Sequence, residues 1–168
     1  MTTTTTVREA IEQLSAAVSA DPAKARAKNA PATARLTEGL KCEVTGPHGQ
    51  RLATDMARAM GGEASAPNPG WLLRSALASC MATVVAMRAA KLGIVLEMLE
   101  VTVESDSDVR GILGLDEKIT AAHALRTTVR IRGKAEPHTL REIVAWADGH
   151  SPVGCTIQGG SSLEILVT

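Results

Sequence analysis

The stretch Pro67-Asn-Pro-Gly-Trp-Leu-Leu-Arg-Ser-Ala-Leu-Ala-Ser-Cys-Met-Ala-Thr-Val-Val-Ala-Met-Arg-Ala-Ala-Lys-Leu-Gly93 decides how this chain is read. Asn68 offers a capping side chain, and Pro69 brings a φ already set for a helix and no N–H to leave unpaired. Gly93, preceded by the cation Lys91, is a stop signal. The residues between are mostly strong helix formers, with Arg74 and Arg88 as the interior charges. So long and apolar a run has the dimensions of a membrane span. The two arginines argue against that, as do the small residues Ser75, Ala76, Ala78, Ser79, Ala82, Ala86, Ala89 and Ala90. The expectation is a soluble helix, buried on most faces and closely approached by other backbone, with no membrane partner.

Cys80 lies in the middle of this helix. Leu73, Ala76, Leu77, Thr83, Val84 and Met87 share its face by helical spacing. That face carries no acid, base or metal ligand. Cys80 is also too far from the helix start for the dipole to act on it. Two readings stay open. Free cysteine is among the most buried residue types, so Cys80 fits as an inert core thiol. Alternatively it is a reactive thiol, activated by groups outside the helix.

Working outward, 168 residues suit one domain, or one protomer of an intertwined oligomer. The chain has no Phe and no Tyr, and its two Trp are Trp71 and Trp146. Its core must therefore be aliphatic. Eighteen basic and eighteen acidic residues cancel, which argues against nucleic acid as the main partner. The N-terminus lacks the apolar stretch of a secretory signal, so a cytoplasmic location is expected. There, Cys42, Cys80 and Cys155 read as redox or structural thiols rather than a disulfide framework. With no Cys-x-x-Cys and no histidine cluster, neither a metal nor another cofactor is expected.

Residues 1–6 are expected to be a loose end, followed by a short amphipathic helix from Val7 to Val18. Asp21 to Pro31 reads as a linker, so residues 1–31 form an N-terminal helix and linker ahead of a domain over 32–168. Alternation from Thr33 to Thr45 predicts a strand with Leu40, Cys42 and Val44 on one face. Gly46-Pro47-His48-Gly49 turns it into a second strand over Gln50 to Asp55. A loop with Gly61-Gly62 leads to the central helix. Strands are expected over Leu96 to Asp106, Leu125 to Arg132 and Leu163 to Val167. A second helix opens at Pro137 and ends near Gly149. The sum is an α+β protein with antiparallel sheets.

Three stretches together carry a family resemblance: Asn68-Pro-Gly-Trp-Leu-Leu running on to Ser79-Cys80, the Asp108-Val-Arg-Gly111 turn, and His150-Ser-Pro-Val-Gly-Cys155. The chain resembles the OsmC/Ohr superfamily of osmotically inducible and organic-hydroperoxide-resistance proteins, from roughly Leu36 to the C-terminus. The resemblance implies an intertwined homodimer, its antiparallel sheets wrapped around paired central helices. It also implies a thiol peroxidase for organic hydroperoxides, restored by a dithiol reductant. Cys80 would be the attacking thiol, since the thiolate is the nucleophile. Cys155 would stand in as a shifted resolving thiol, and Arg58 as the activating cation.

This sequence departs from the family pattern at two further positions. Ser151 occupies the place of the family's resolving cysteine, and Gly70 that of a glutamate, with Glu63 as the nearest acid. These departures favour an alternative: an OsmC-like protein without efficient peroxidase chemistry, binding a small apolar molecule at the dimer interface. The histidines 48, 123 and 138 form no constellation, and His150 reads as a cation at a helix end.

Overall fold

The computed structural model describes residues 4–117, 119, 124–157 and 161–167. They fall into two compact units, one of residues 18–73 and one of residues 1–17 with 74–168. The first helix, α1, spans Thr4–Ala20. It is longer than the spacing predicts, because Thr4 to Thr6, expected to be loose, continue its first turn; residues 1–3 lie outside the described residues. A 3-10 turn at Pro22–Ala25 is capped by Asp21, whose side chain accepts from the Ala23 N–H.

The 18–73 unit holds an antiparallel sheet of β1 (Thr33–Glu38), β2 (Lys41–Thr45) and β3 (Arg51–Thr54). The alternation from Thr33 to Thr45 that predicts one strand makes two. Gly39, at φ +51°, reverses the chain and puts Leu40 in the turn instead of on a strand face. An L residue is disfavoured there, and glycine is not. Facing residues in register are Leu36, Cys42 and Thr54 in one row, and Ala34, Val44 and Leu52 in the next. One face of this sheet is therefore apolar, yet Leu36 and Leu52 are both exposed.

The second unit is built on α2, Pro69–Lys91, which also reaches back into the first. Its ends are those the sequence predicts. The Asn68 side chain accepts from the Trp71 N–H at 2.8 Å, a cap worth about 1 kcal/mol. At the other end Gly93 takes φ +72°, its N–H donates to Ala90 O, and the Ile94 N–H donates to Ala89 O. That paired closure is a Schellman motif. Among the described residues α2 is the one helix long and apolar enough to cross a membrane. Leu77, Met81, Val85 and Ala89 nevertheless form a buried seam along it, joined by Ala90.

A sheet of β4 (Leu96–Asp106), β5 (Ala124–Gly133) and β6 (Ser161–Val167) belongs to the same unit, with β5 in the middle. β4 and β5 pair antiparallel, whereas β6 joins β5 in parallel. Parallel addition needs a crossover connection, and the helices after β5 supply it. Along β5, Leu125, Thr127, Val129 and Ile131 point inward and are buried. The alternate residues Arg126, Arg130 and Arg132 pair on the outer face with Glu104, Glu100 and Glu97. Exposed pairs of this kind contribute little stability but keep the face solvated.

Three helices complete the unit, two of them short and formed where the sequence predicts irregular chain. α3, Val109–Leu113, is capped by Asp108, and Gly114 stops it at φ +64°. α4, Pro137–Asp148, packs Leu140, Ile143, Val144 and Ala147 into the core with Met81, Val85, Val129 and Ile131. α5, Pro152–Thr156, is a single turn.

Ile143 is 1 % exposed at the centre of that cluster. Ile143→Ala is expected to destabilise the protein by about 2–5 kcal/mol, the usual cost of such a truncation. Urea unfolding checks this, with exposed Arg126→Ala as a control expected to move stability by less than about 0.5 kcal/mol.

Candidate active site

Cys80 sits at the margin of the α2 seam and is half-buried. Leu77 and Met81, its buried neighbours, belong to the seam, while Ala76, Ser79 and Thr83 on the other side are exposed. The thiol therefore lies where packed core gives way to surface.

Its sulfur meets Ser151. Ser151 is 1 % exposed, and its Oγ donates to Cys80 Sγ at 3.2 Å. The same oxygen accepts from the Gly154 N–H at 3.1 Å, because Ser151 is the N-cap of α5. A backbone amide, a hydroxyl and a sulfur thus form a chain, and such chains polarise one another. Position 154 is closely packed against Ser151. A Cβ there would stand 3.2 Å from both Cβ and Oγ of Ser151 and 3.6 Å from Leu77 Cδ1.

Cys155 is on the same turn but faces elsewhere. Its N–H donates to Ser151 O at 2.8 Å, closing the turn, and its exposed thiol donates to Gly149 O at 3.5 Å. All three cysteines are free. Pro152 opens α5, and the turn brings Ser151 to the sulfur of Cys80.

A stack buttresses the approach to this segment. The Arg88 guanidinium lies 4.7 Å from the centroid of the Trp146 ring. Trp146 in turn stacks on His150, with centroids 3.9 Å apart and planes 12° from parallel. His150 Nδ1 donates to Trp146 O at 2.7 Å. Arg88 Nε is buried and has no hydrogen-bond partner, so the ring face is its main compensation. His150, expected as a cation at a helix end, is thus placed there by stacking, one residue before Ser151.

Arg58 belongs to the 18–73 unit, where it opens an exposed 3-10 turn, Arg58–Met60. The loop that carries it is knotted around Asp55. This carboxylate, 2 % exposed, accepts from the N–H groups of Met56, Glu63 and Ser65 and from the Ser65 hydroxyl. The Ser65 amide and hydroxyl, helped by the other two amides against the opposing effect of burial, hold its pKa down to about 2. Gly62 is forced by the same knot: a Cβ there would lie 2.1 Å from Met56 O. Glu63 contributes its backbone N–H to the knot, and its side chain is exposed. No spacing rule signals Asp55, because its partners lie up to ten residues away in an irregular loop.

The remaining candidates join neither arrangement. His138 pairs with exposed Glu142 at 3.7 Å. His48 lies in the β2–β3 turn, and His123 lies outside the described residues. Among the described residues no group of His, Cys, Asp or Glu could hold a metal ion. An open depression of about 470 Å³ lies on the first sheet, lined by Thr37, Lys41, Cys42, Glu43, Arg51, Leu52 and Ala53. It includes neither Cys80 nor Ser151.

Comparison with known proteins agrees with this fold. The model of the OsmC-like protein family matches residues 62–165, most of the chain and the whole of α2. The chain belongs to that family. No curated protein matches it by sequence. Among solved structures, the OsmC-like protein of Mycoplasma pneumoniae matches with a TM-score of 0.70 at 17% identity, covering 85% of this chain and 98% of that one. An organic hydroperoxide resistance protein from Legionella pneumophila matches with a TM-score of 0.64 at 23% identity, over 85% and 98% of the two chains. The organic hydroperoxide resistance protein OhrB of Bacillus subtilis gives 0.60 at 19% identity, over 84% and 98%. This OsmC-like chain shares their α+β fold.

The Asp55 knot sets a pH dependence. Its pKa is depressed on folding, so its stabilisation is complete above the ordinary carboxylate value of 3.8 and is lost as pH falls through about 2. Hydrogen exchange, corrected for intrinsic rates, is expected to show protection of the Met56, Glu63 and Ser65 amides falling over that window. Asp55→Asn, which offers one carbonyl oxygen in place of two carboxylate oxygens, is expected to remove much of that protection at neutral pH as well.

Proposed function

We propose that this protein is a thiol-dependent peroxidase that reduces organic hydroperoxides, with Cys80 as the nucleophile. The observation that carries the reading is the buried Ser151 hydroxyl donating to Cys80 Sγ at 3.2 Å. A donor aimed at sulfur binds the anion more strongly than the thiol, and the anion is the attacking species. Family membership supports the same reading, as do structural neighbours described as organic hydroperoxide resistance proteins.

In the reaction, the Cys80 thiolate attacks one peroxide oxygen. The S–O bond forms as the O–O bond breaks, leaving Cys80 as a sulfenic acid. The alkoxide departs with a proton as the alcohol. Two thiol equivalents then return Cys80 to the thiol and release water. The apolar residues Leu77, Met81 and Val84 around Cys80 suit an organic peroxide better than a charged substrate. Arg58 is the proposed source of positive charge for the thiolate, carried on the Asp55 loop. A cytoplasmic location belongs to the same reading, since it keeps the thiols reduced.

The active form is proposed to be a homodimer. Ala76, Ser79, Thr83 and Ala86 form an exposed stripe of small residues at helical spacing on α2. The apolar face of the first sheet leaves Leu36 and Leu52 uncovered. A second copy accounts for both surfaces, since a small-residue stripe lets another helix approach closely.

A second reading is favoured by Gly70 in the glutamate position: a small apolar molecule bound beside Cys80 at the dimer interface, without efficient turnover. The two readings part on one assay. Under the first, the parent protein consumes cumene hydroperoxide with a thiol reductant, and Cys80→Ser does not. Equal consumption by both proteins would refute the peroxidase. Ser151→Ala is expected to slow alkylation of Cys80 by iodoacetamide at neutral pH while leaving the far-ultraviolet dichroism intact. Sedimentation is expected to show a dimer, and Thr83→Glu to shift it toward monomer.

A further inference from the structure

We infer that the sulfenic acid of Cys80 is resolved by a small thiol from solution and not by a cysteine of this protein. The inference rests on the peroxidase reading above. Its warrant is what stands against the sulfur. A sulfenic acid condenses with a thiol, and the disulfide that forms needs an S–S separation of about 2.05 Å and Cα atoms within about 7 Å. The group facing Cys80 Sγ is a hydroxyl, Ser151 Oγ, which forms no disulfide.

Cys155, the thiol nearest to Ser151 in the chain, is fixed in another direction. Ser151 O accepts from the Cys155 N–H at 2.8 Å, and the Cys155 thiol is turned to Gly149 O on the surface. For Cys155 to reach Cys80 its thiol would have to leave Gly149 O and displace the Ser151 hydroxyl, which already occupies the position against Cys80 Sγ and also accepts from the Gly154 N–H. A buried hydroxyl resists losing both partners. Cys42 stands on β2, opposite Leu36 and Thr54 in register, in the 18–73 unit.

Cys80 itself is half-buried, not sealed, so a small molecule has access to it. The steps balance with a monothiol RSH as the co-reactant. Cys80–SOH and RSH give the mixed disulfide Cys80–S–S–R and water. A second RSH attacks that bond, releases RSSR and returns Cys80 as the thiol. The Ser151 hydroxyl is placed to hydrogen-bond the departing Cys80 sulfur, as it does in the resting state.

The test uses the reduced full chain and one equivalent of cumene hydroperoxide, with products located by peptide mass. Without added thiol, dimedone is expected to label Cys80, and no disulfide between protein cysteines is expected. With 2-mercaptoethanol in place of dimedone, Cys80 is expected to carry the mixed disulfide, and excess thiol to clear it. Cys155→Ser and Cys42→Ser are expected to give the same adducts. Ser151→Cys is expected to reverse the outcome: the introduced thiol forms a disulfide with Cys80, and the dimedone adduct is lost. A Cys80–Cys155 or Cys80–Cys42 disulfide in the parent, within a chain or between copies, would overturn the inference and leave the peroxidase reading standing. A Cys80 that peroxide leaves untouched would remove both.

Discussion

Everything in the larger unit depends on the seam that α2 buries. Leu77, Met81, Val85 and Ala89 recur at a spacing of four, and each is at most 4 % exposed. Burying Leu, Met or Val fully is worth about 1.5–3 kcal/mol per side chain, so the seam accounts for most of what holds this helix in its protomer. Met81, Val85 and Ala89 of the seam share one cluster with Val129 and Ile131 of β5 and Ile143 and Val144 of α4. The segment that ends at Ser151 leaves α4 from that cluster. The Ser151–Cys80 contact closes that segment back onto α2.

A core without Phe or Tyr has a further effect on the site. Aliphatic side chains fill space in small increments, so seating depends on where the small residues fall. Gly154 is one such place, and the alanines of α2 are others. The long helix buries five of its side chains and leaves a stripe of small ones outside. The first sheet leaves Leu36 and Leu52 exposed. Both are surfaces that the proposed homodimer would use.

Much of this architecture is written in local chemistry. The Asn68-Pro69 start and the Gly93 stop place α2 within a residue, because capping is decided by a few adjacent side chains. The alternation along β5 survives intact because that strand has one wet face and one dry face, and along β4 it holds beyond a bulge near Leu96 and Met98. Pro137 marks α4 in the same local way. Three other features escape such rules. Gly39 splits an alternating run into a hairpin, and alternation continues across the turn without announcing it. β6 pairs in parallel with β5, a choice made by the crossover and not by any strand residue. The Ser151–Cys80 contact joins positions 71 residues apart. The sequence singles out Cys80 by its setting and Ser151 by its departure from a family pattern. That the serine would press its hydroxyl on the cysteine is a fact of packing. The Asp55 knot belongs to the same class, since its donors are backbone amides that any residue type could supply.

The Arg88–Trp146–His150 stack gives the molecule an optical signature of its own. With no tyrosine in the chain, absorption and emission in the near ultraviolet come from Trp71 and Trp146 alone. Trp71 is about half exposed, whereas Trp146 contacts both a guanidinium and an imidazole. An imidazolium quenches indole at contact far more than the neutral ring does. The intensity from Trp146 therefore reads both the charge of His150 and whether it still touches the indole. Because His150 adjoins the serine that meets Cys80, the protein carries a native fluorophore close to its proposed reactive centre, with a single exposed tryptophan as its internal reference.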